Sequence, residues 1–319
     1  MEMAMVQKWS QYLLHMKRMS PHTVRAYVAD TTQFLIFFQD QKHDLSSATP
    51  AMTFHQLISF VTRETIRTWL FTRKTRKITD RSNARAIAAL RAFFAFLQEQ
   101  EGVINEAACL LRSPRLPRLL PKPAPAQLLL QHTAQVAVDH AADGKTIWSL
   151  RDYVLYMLIY GCGLRISEAL QLNRNNIHGD VLVIYGKGGK ERLVPIMSSL
   201  LEQVQRYIQL SHQYLQEALQ TSHASPLFIG KNGARLNASV VRKNMTQAAA
   251  EIHTPKLSPH MLRHSCATDL INAGLDIKFV QELLGHRSIG TTQIYTAVAQ
   301  KDILSIYKKH HPLESLNID

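Results

Sequence analysis

The residues of this chain that could do chemistry lie in its second half. An arginine sits in Gly161-Cys-Gly-Leu-Arg165-Ile-Ser-Glu168 and a lysine in Gly186-Lys187-Gly-Gly-Lys-Glu-Arg192. Further on come His260 and Arg263 within Leu257-Ser-Pro-His-Met-Leu-Arg-His264, His286 directly after Gly285, and Tyr295. Arginine keeps its charge and presents a planar fork of donors that fits phosphate oxygens. Ser258 is a preferred helix N-cap and Pro259 suits the first helical position, so His260 and Arg263 fall three apart in the opening turn. That end of a helix already favours anions. Taken singly, each fragment also fits a plainer reading: an arginine and a histidine facing solvent, or a tyrosine packed in the core with its hydroxyl bonded. The Gly-Lys-Gly-Gly-Lys run lacks the spacing of a nucleotide-binding P-loop.

The elements that must position these residues follow from periodicity. Trp9, Leu13 and Met16 recur at helical spacing, as do Val24, Tyr27, Phe34 and Phe38, with Ser20-Pro21 marking the break between two helices. A third helix is expected from about Thr62 to Thr72 and a fourth from about Ser82 to Gln100. The fourth places Ile87, Leu90, Phe94 and Leu97 on one side, with Arg85 and Arg91 elsewhere. Between these helices runs the basic stretch Arg73, Lys74, Arg76, Lys77 and Arg81. The segment 112–126 is rich in proline and basic residues, so neither helix nor central strand persists through it, and it reads as a linker. Beyond it, Trp148 to Tyr160 is a strongly apolar helix, and another begins near Ser167. Val181–Tyr185 and Arg192–Pro195 flank a glycine-rich turn, the pattern of a β-hairpin. Helices resume near Leu200, Val240, Pro259, Asp276 and Ser288. In the Asp276 helix, Ile277, Val280 and Leu284 form the expected buried stripe, with Gly285 as its stop.

A length of 319 residues favours two domains. A hydrophobic share of 46% with 19% charged residues is that of a globular protein rather than a disordered one. The net charge of +13 and a pI near 9.7 favour a polyanionic partner, nucleic acid first. The basic residues are spread along the chain instead of gathered in a tail, which argues against a membrane-surface tract. Cys109, Cys162 and Cys266 lie far apart without a C-x-x-C spacing, and are expected to be buried, reduced thiols. No targeting or membrane-spanning pattern stands out, so cytoplasmic residence is expected.

In their order and spacing, Arg165, Lys187, His260, Arg263, His286 and Tyr295 resemble the active-site set of the tyrosine recombinases, the phage-integrase family. The helical N-terminal segment and the proline-rich linker are similar to those of cellular members. The resemblance implies a mainly α chain: an N-terminal four-helix SAM-like core-binding domain (1–112), a linker (113–126), and a mostly helical catalytic domain with a small antiparallel β-sheet (127–319). It implies that Tyr295 attacks a DNA phosphodiester and forms a 3′-phosphotyrosyl bond, with Arg165 and Arg263 clamping the phosphate oxygens. His260 then assists as acid/base, His286 bonds to the phosphate, and Lys187 protonates the departing 5′-oxygen. Because the phosphotyrosyl bond conserves phosphodiester energy, no metal, ATP or other cofactor is needed. Glu168 is expected either to support the neighbouring arginine or to be an ordinary surface carboxylate. Cys266 and Asp269 stand where relatives often carry an aromatic and a histidine, and Tyr307 does not match the pattern of the nucleophile. Lys74, Arg76, Lys77, Arg81, Arg85 and Arg91 are the expected DNA contacts of the first domain.

Within the family, the run Leu283 to Tyr295 and the tail at 306–312 are most similar to the bacterial XerC branch. That similarity implies resolution of chromosome dimers at a dif site, with a XerD partner in a heterotetramer and the FtsK translocase as regulator. The amphipathic tail from Lys301 onward would dock on a neighbouring protomer. A XerD-type recombinase, a mobile-element integrase and a relaxing type IB topoisomerase share the chemistry. A DNA-binding architectural protein without chemistry is the alternative of another class; loss of an active-site residue would have signalled it, and none is lost.

Overall fold

The computed structural model describes residues 2–43, 54–107, 125–140, 146–186, 191–219, 226–254 and 257–285. The chain divides into two compact units, Met1–Leu119 and Leu120–Asp319.

The described part of the first unit is helical. α1 (Glu2–Gln11) runs into a π-helical turn (Tyr12–Met16), and α2 (Pro21–His43) starts where the Thr23 amide donates to Ser20 Oγ at 3.2 Å. α3 (Phe54–Ser59), α4 (Arg63–Thr75) and α5 (Asp80–Glu101) follow. Thr62 caps α4 and Thr79 caps α5, each hydroxyl accepting from a first-turn amide. The short α3 adds a helix to the four expected; six residues are too few for a helical period to register. Trp9, Phe34, Phe93 and Phe94 fill the core, Trp9 standing edge-on to Phe93 at 5.2 Å. Arg73 departs from the rest of its basic stretch. It is buried, donating to Asp30 at 3.2 Å, Asn83 at 3.0 Å and Gln33 at 2.8 Å, with its guanidinium 4.7 Å from the Trp69 ring centre. It thereby ties α4 to α2 and α5.

The second unit comprises α6 (Ala126–Asp139), α7 (Thr146–Gly161), α8 (Ile166–Gln171), β1 (Ile177–His178), β2 (Val181–Tyr185), β3 (Glu191–Pro195), α9 (Ser198–Leu219), α10 (Ala238–Glu251), α11 (Pro259–Asn272) and α12 (Ile277–Leu283). From Tyr153 to Tyr160 every residue of α7 is buried, as expected of a helix that is apolar all round. It is the central element, with α6, α9 and α11 packed against it. The sheet is antiparallel in the order β1-β2-β3, and the expected hairpin pairs Val181 with Pro195 and Tyr185 with Glu191. Leu182 and Ile184 of β2 and Val194 of β3 face the core. α12 differs from its expected stripe: Ile277 is exposed, and Val280, Leu283 and Leu284 face inward. A seven-residue helix cannot sustain a stripe over many turns, so its inner face is set by that i, i+3, i+4 trio.

Cys162 and Cys266 are buried free thiols, and burial pushes both up, Cys266 to about 12. No helix among the described residues is long and apolar enough to cross a membrane. Cys109, most of the proline-rich segment, the helix expected near Ser288 and the tail from Lys301 lie outside the described residues.

Candidate active site

α7 ends at Gly161, the chain turns at Gly163, and Arg165 becomes the N-cap residue of α8. Glu168, at the third helical position, reaches back so that the Arg165 amide donates to its Oε2 at 2.9 Å, half of a capping box. The Arg165 guanidinium donates to Oε1 of the same carboxylate at 2.7 Å. From β3, Arg192 forks onto both Glu168 oxygens, at 3.1 and 2.8 Å. From α11, Arg263 approaches Oε2 at 3.7 Å. Three guanidinium groups therefore surround one carboxylate that is only 6% exposed. Burial alone would raise the Glu168 pKa, but the hydrogen bonds from Arg192 and from the Arg165 amide outweigh it and hold the group at about 2. Glu168 is a buried anion, not a surface carboxylate.

The same arginines finish α12. The last carbonyls of a helix have no partner within it, and cations are favoured there. Arg192 Nε donates to the Leu283 carbonyl at 3.2 Å, Arg263 Nη2 to the Leu284 carbonyl, and Arg165 Nη2 to the Gly285 carbonyl at 3.0 Å. Arg263 Nη1 also donates to the Gly163 carbonyl at 2.6 Å. Three consecutive carbonyls thus go to three different arginines.

Exposure separates the arginines: the Arg165 side chain is 43% exposed, Arg192 16% and Arg263 6%. Of the three, Arg165 is the guanidinium most open to solvent and Arg263 the least. Burial and the neighbouring Arg165 charge lower the Arg263 pKa to about 10, so it remains protonated at neutral pH. Three positive charges against one negative leave a surplus of two, a local field suited to a phosphodiester.

Ser258 caps α11 as expected, its hydroxyl accepting from the Met261 amide at 3.4 Å. His260 is exposed on the first turn and Arg263 is buried on the next. Asp269 accepts from the Tyr160 hydroxyl at 2.8 Å, so this departure from the family pattern serves packing between α7 and α11. The structure brings Arg165 and Arg263 together; Lys187, His286 and Tyr295 lie outside the described residues.

The description of the phage integrase family matches residues 129–302, and that of the phage integrase N-terminal SAM-like domain matches residues 6–101. This chain belongs to the phage integrase family of tyrosine recombinases. The recombinase is 34% identical over 311 residues to tyrosine recombinase XerC of Rhodospirillum centenum, which covers 96% of this chain and 86% of that one. It is 35% identical over 321 residues to tyrosine recombinase XerC of Rhizobium meliloti, covering 97% and 93% of the two chains. Its fold is similar to that of XerH site-specific recombinase bound to palindromic difH substrate, with a TM-score of 0.61 at 18% identity over 92% of this chain and 77% of that one. A lambda integrase dimer bound to a COC′ core site gives 0.60 at 16% identity over 96% and 76%.

The sequence left Glu168 between a supporting role beside Arg165 and an ordinary surface place, and did not single out Arg192. The signals were present: Glu168 stands at capping-box distance from Arg165, and Arg192 shares the inward face of β3 with buried Val194. A charge on such a face requires a buried counter-ion. In the first unit of the recombinase, Lys74, Arg76, Lys77 and Arg81 are exposed around the turn between α4 and α5. Arg85 is 46% exposed but bonded to Asp30 at 2.7 and 3.2 Å, and Arg91 is half-buried.

Proposed function

We propose that this recombinase is of the XerC type and cuts and rejoins double-stranded DNA at a dif-like site through Tyr295. The observation that carries the reading is the convergence of Arg165 and Arg263 at one buried carboxylate and one helix terminus, in a chain similar to XerC proteins over nearly its whole length. In this reading the Tyr295 oxygen attacks phosphorus, the bond to the 5′-oxygen breaks, and Lys187 supplies the proton that the 5′-oxygen takes up. His260 assists as acid/base and His286 bonds a non-bridging oxygen. Tyrosine has an ordinary pKa near ~10, so its attack depends on the positive field of the two arginines. Rejoining is the reverse step, with a 5′-hydroxyl displacing the tyrosine and no net loss of a high-energy bond. The protein works in the cytoplasm, with a XerD-type partner in a heterotetramer, FtsK as regulator, and its C-terminal tail docked on a neighbouring protomer. The exposed Lys74, Arg76, Lys77 and Arg81 hold the DNA backbone, with Arg85 and Arg91 at the edge of that surface.

A nicked dif-like suicide duplex incubated with the protein tests this. A covalent adduct that survives denaturation is expected, and it should vanish in Tyr295→Phe with binding retained. An adduct formed by Tyr295→Phe would remove Tyr295 as the nucleophile. Binding without any adduct would favour an architectural protein, and relaxation of DNA without a preferred sequence would favour a topoisomerase. Tail deletion that leaves pairing of sites intact would remove the tail from the assembly.

A further inference from the structure

We propose that Arg192 is a positioning residue for recombination, acting through Glu168 and the end of α12 to fix where the Arg165 guanidinium points. The inference rests on the reading of Arg165 as a phosphate ligand.

Arg192 itself is turned inward. Each of its three nitrogens donates to the protein: Nη1 and Nη2 to the Glu168 oxygens, Nε to the Leu283 carbonyl. Its side chain is 16% exposed, against 43% for Arg165. Arg165, in turn, has its guanidinium plane set by two acceptors, Glu168 Oε1 and the Gly285 carbonyl. Arg192 governs both. It shares Oε1 at 3.1 Å, and it grips the helix end that carries Gly285, whose backbone packs so closely that a Cβ there would lie 3.2 Å from Arg192 Nη1.

Without Arg192, Glu168 would keep Arg165 as its close partner and Arg263 only at 3.7 Å, and it would be free to turn toward Arg165. The α12 terminus would lose its first arginine cap. The local surplus of positive charge would fall from two to one, and the direction of the Arg165 donors would no longer be fixed. Phosphoryl chemistry is sensitive to such displacement, and groups held more than ~0.5 Å from productive geometry lose most of their effect. Lysine would restore charge at position 192 without the fork needed to hold two carboxylate oxygens and a carbonyl together.

The test uses the full-length protein under single-turnover conditions, with saturating protein on a nicked suicide duplex and affinity for uncut duplex measured separately. Arg192→Gln is expected to slow adduct formation ~10- to 100-fold while affinity stays within ~3-fold. The acid limb of its pH–rate profile should move to higher pH, because Glu168 loses the donors that most favour its ionised form. Arg192→Lys should recover part of the rate and return the acid limb toward that of the wild type. Adding Arg192→Gln to Glu168→Gln should cost less than the two single losses multiplied, since the two share the route through Glu168 and differ only in the α12 end that Arg192 also holds. A wild-type rate in Arg192→Gln, or losses that multiply in the double variant, overturns the proposal. Should Arg192→Gln not fold, a fully wild-type rate in Arg192→Lys does the same, because the ammonium lacks the fork that the proposal requires. Undiminished cleavage by Arg165→Ala overturns the underlying reading of Arg165 instead, and that outcome is read without any Arg192 variant.

Discussion

The Arg165 guanidinium donates to the Gly285 carbonyl at 3.0 Å, across 120 positions of sequence. This bond joins the start of α8 to the end of α12, and Arg192 and Arg263 join the same two regions through Glu168 and the neighbouring carbonyls. Helix termination and charge compensation are therefore one structure here. The carbonyls that α12 leaves unsatisfied orient the guanidinium groups, and the carboxylate offsets part of their mutual repulsion. A change at any member should therefore disturb the placement of the others.

Gly285 has a φ of 64°, and a Cβ there would meet Arg192 Nη1 and Cζ at 3.2 and 3.3 Å. Gly285→Ala should cost about 1–2 kcal/mol for the left-handed backbone and should also displace Arg192. The denaturant midpoint is expected to fall at unchanged slope, with DNA cleavage slowed. An unshifted midpoint would show that the turn relaxes freely.

Glu168 has its pKa lowered from 4.5 to about 2 in the folded chain. A depressed carboxylate contributes stability that is fully present above its unfolded value and is lost as the pH falls from about 4.5 toward 2. This group accounts for on the order of 3 kcal/mol across that window. Glu168→Gln should be less stable near neutrality and should show a shallower loss on acidification. Urea melts of both proteins at several pH values test it, and parallel curves would contradict it.

What could be read from sequence was local. Ser258-Pro259 announces the α11 start and with it the placement of Arg263, and the β-rich runs on either side of the Gly186–Lys190 turn announce the hairpin. The partnership of Arg192 with Glu168 spans 24 positions and depends on how β3 lies against α8, which no local period encodes. Arg73 was hidden differently, because its neighbours share its charge. Only its phase on α4, in line with buried Ile66 and Trp69, separates it from exposed Lys74. α6 escaped notice because the run Leu128-Leu-Leu130 blurs the apolar and polar faces of its first turn.

That difference in phase makes a paired prediction. Arg73→Ala removes the donors to Asp30, Gln33 and Asn83 but leaves the 2% exposed Asp30 paired with Arg85, so about 1–3 kcal/mol of stability should be lost. Lys74→Ala should leave stability within about 0.5 kcal/mol. On DNA the order should invert: Lys74→Ala weakens binding and lowers the log–log salt slope by about one if its ammonium meets a phosphate. Thermal melts and binding measured at several salt concentrations read the two effects separately. Equal destabilisation by both substitutions would contradict the burial argument.

Gly163 links the end of α7 to the same cluster. Its φ is 59°, its carbonyl accepts from Arg263 at 2.6 Å, and an added Cβ would lie 2.5 Å from Leu284 Cδ2. Gly163→Ala must therefore strain the backbone and push Leu284, whose own carbonyl also receives Arg263. A loss of about 2 kcal/mol or more is expected, together with slower cleavage. The side-chain part of that loss can be isolated, because the clash is with the end of one leucine. Leu284→Ala alone should be costly, as the side chain is 3% exposed, but combined with Gly163→Ala it removes the colliding methyl. The double variant should then be more stable than the sum of the single losses requires, by about 1 kcal/mol or more in a double-mutant cycle. Strict additivity would mean that the cost at Gly163 comes from the left-handed backbone alone and that Leu284 moves aside without disturbing Arg263.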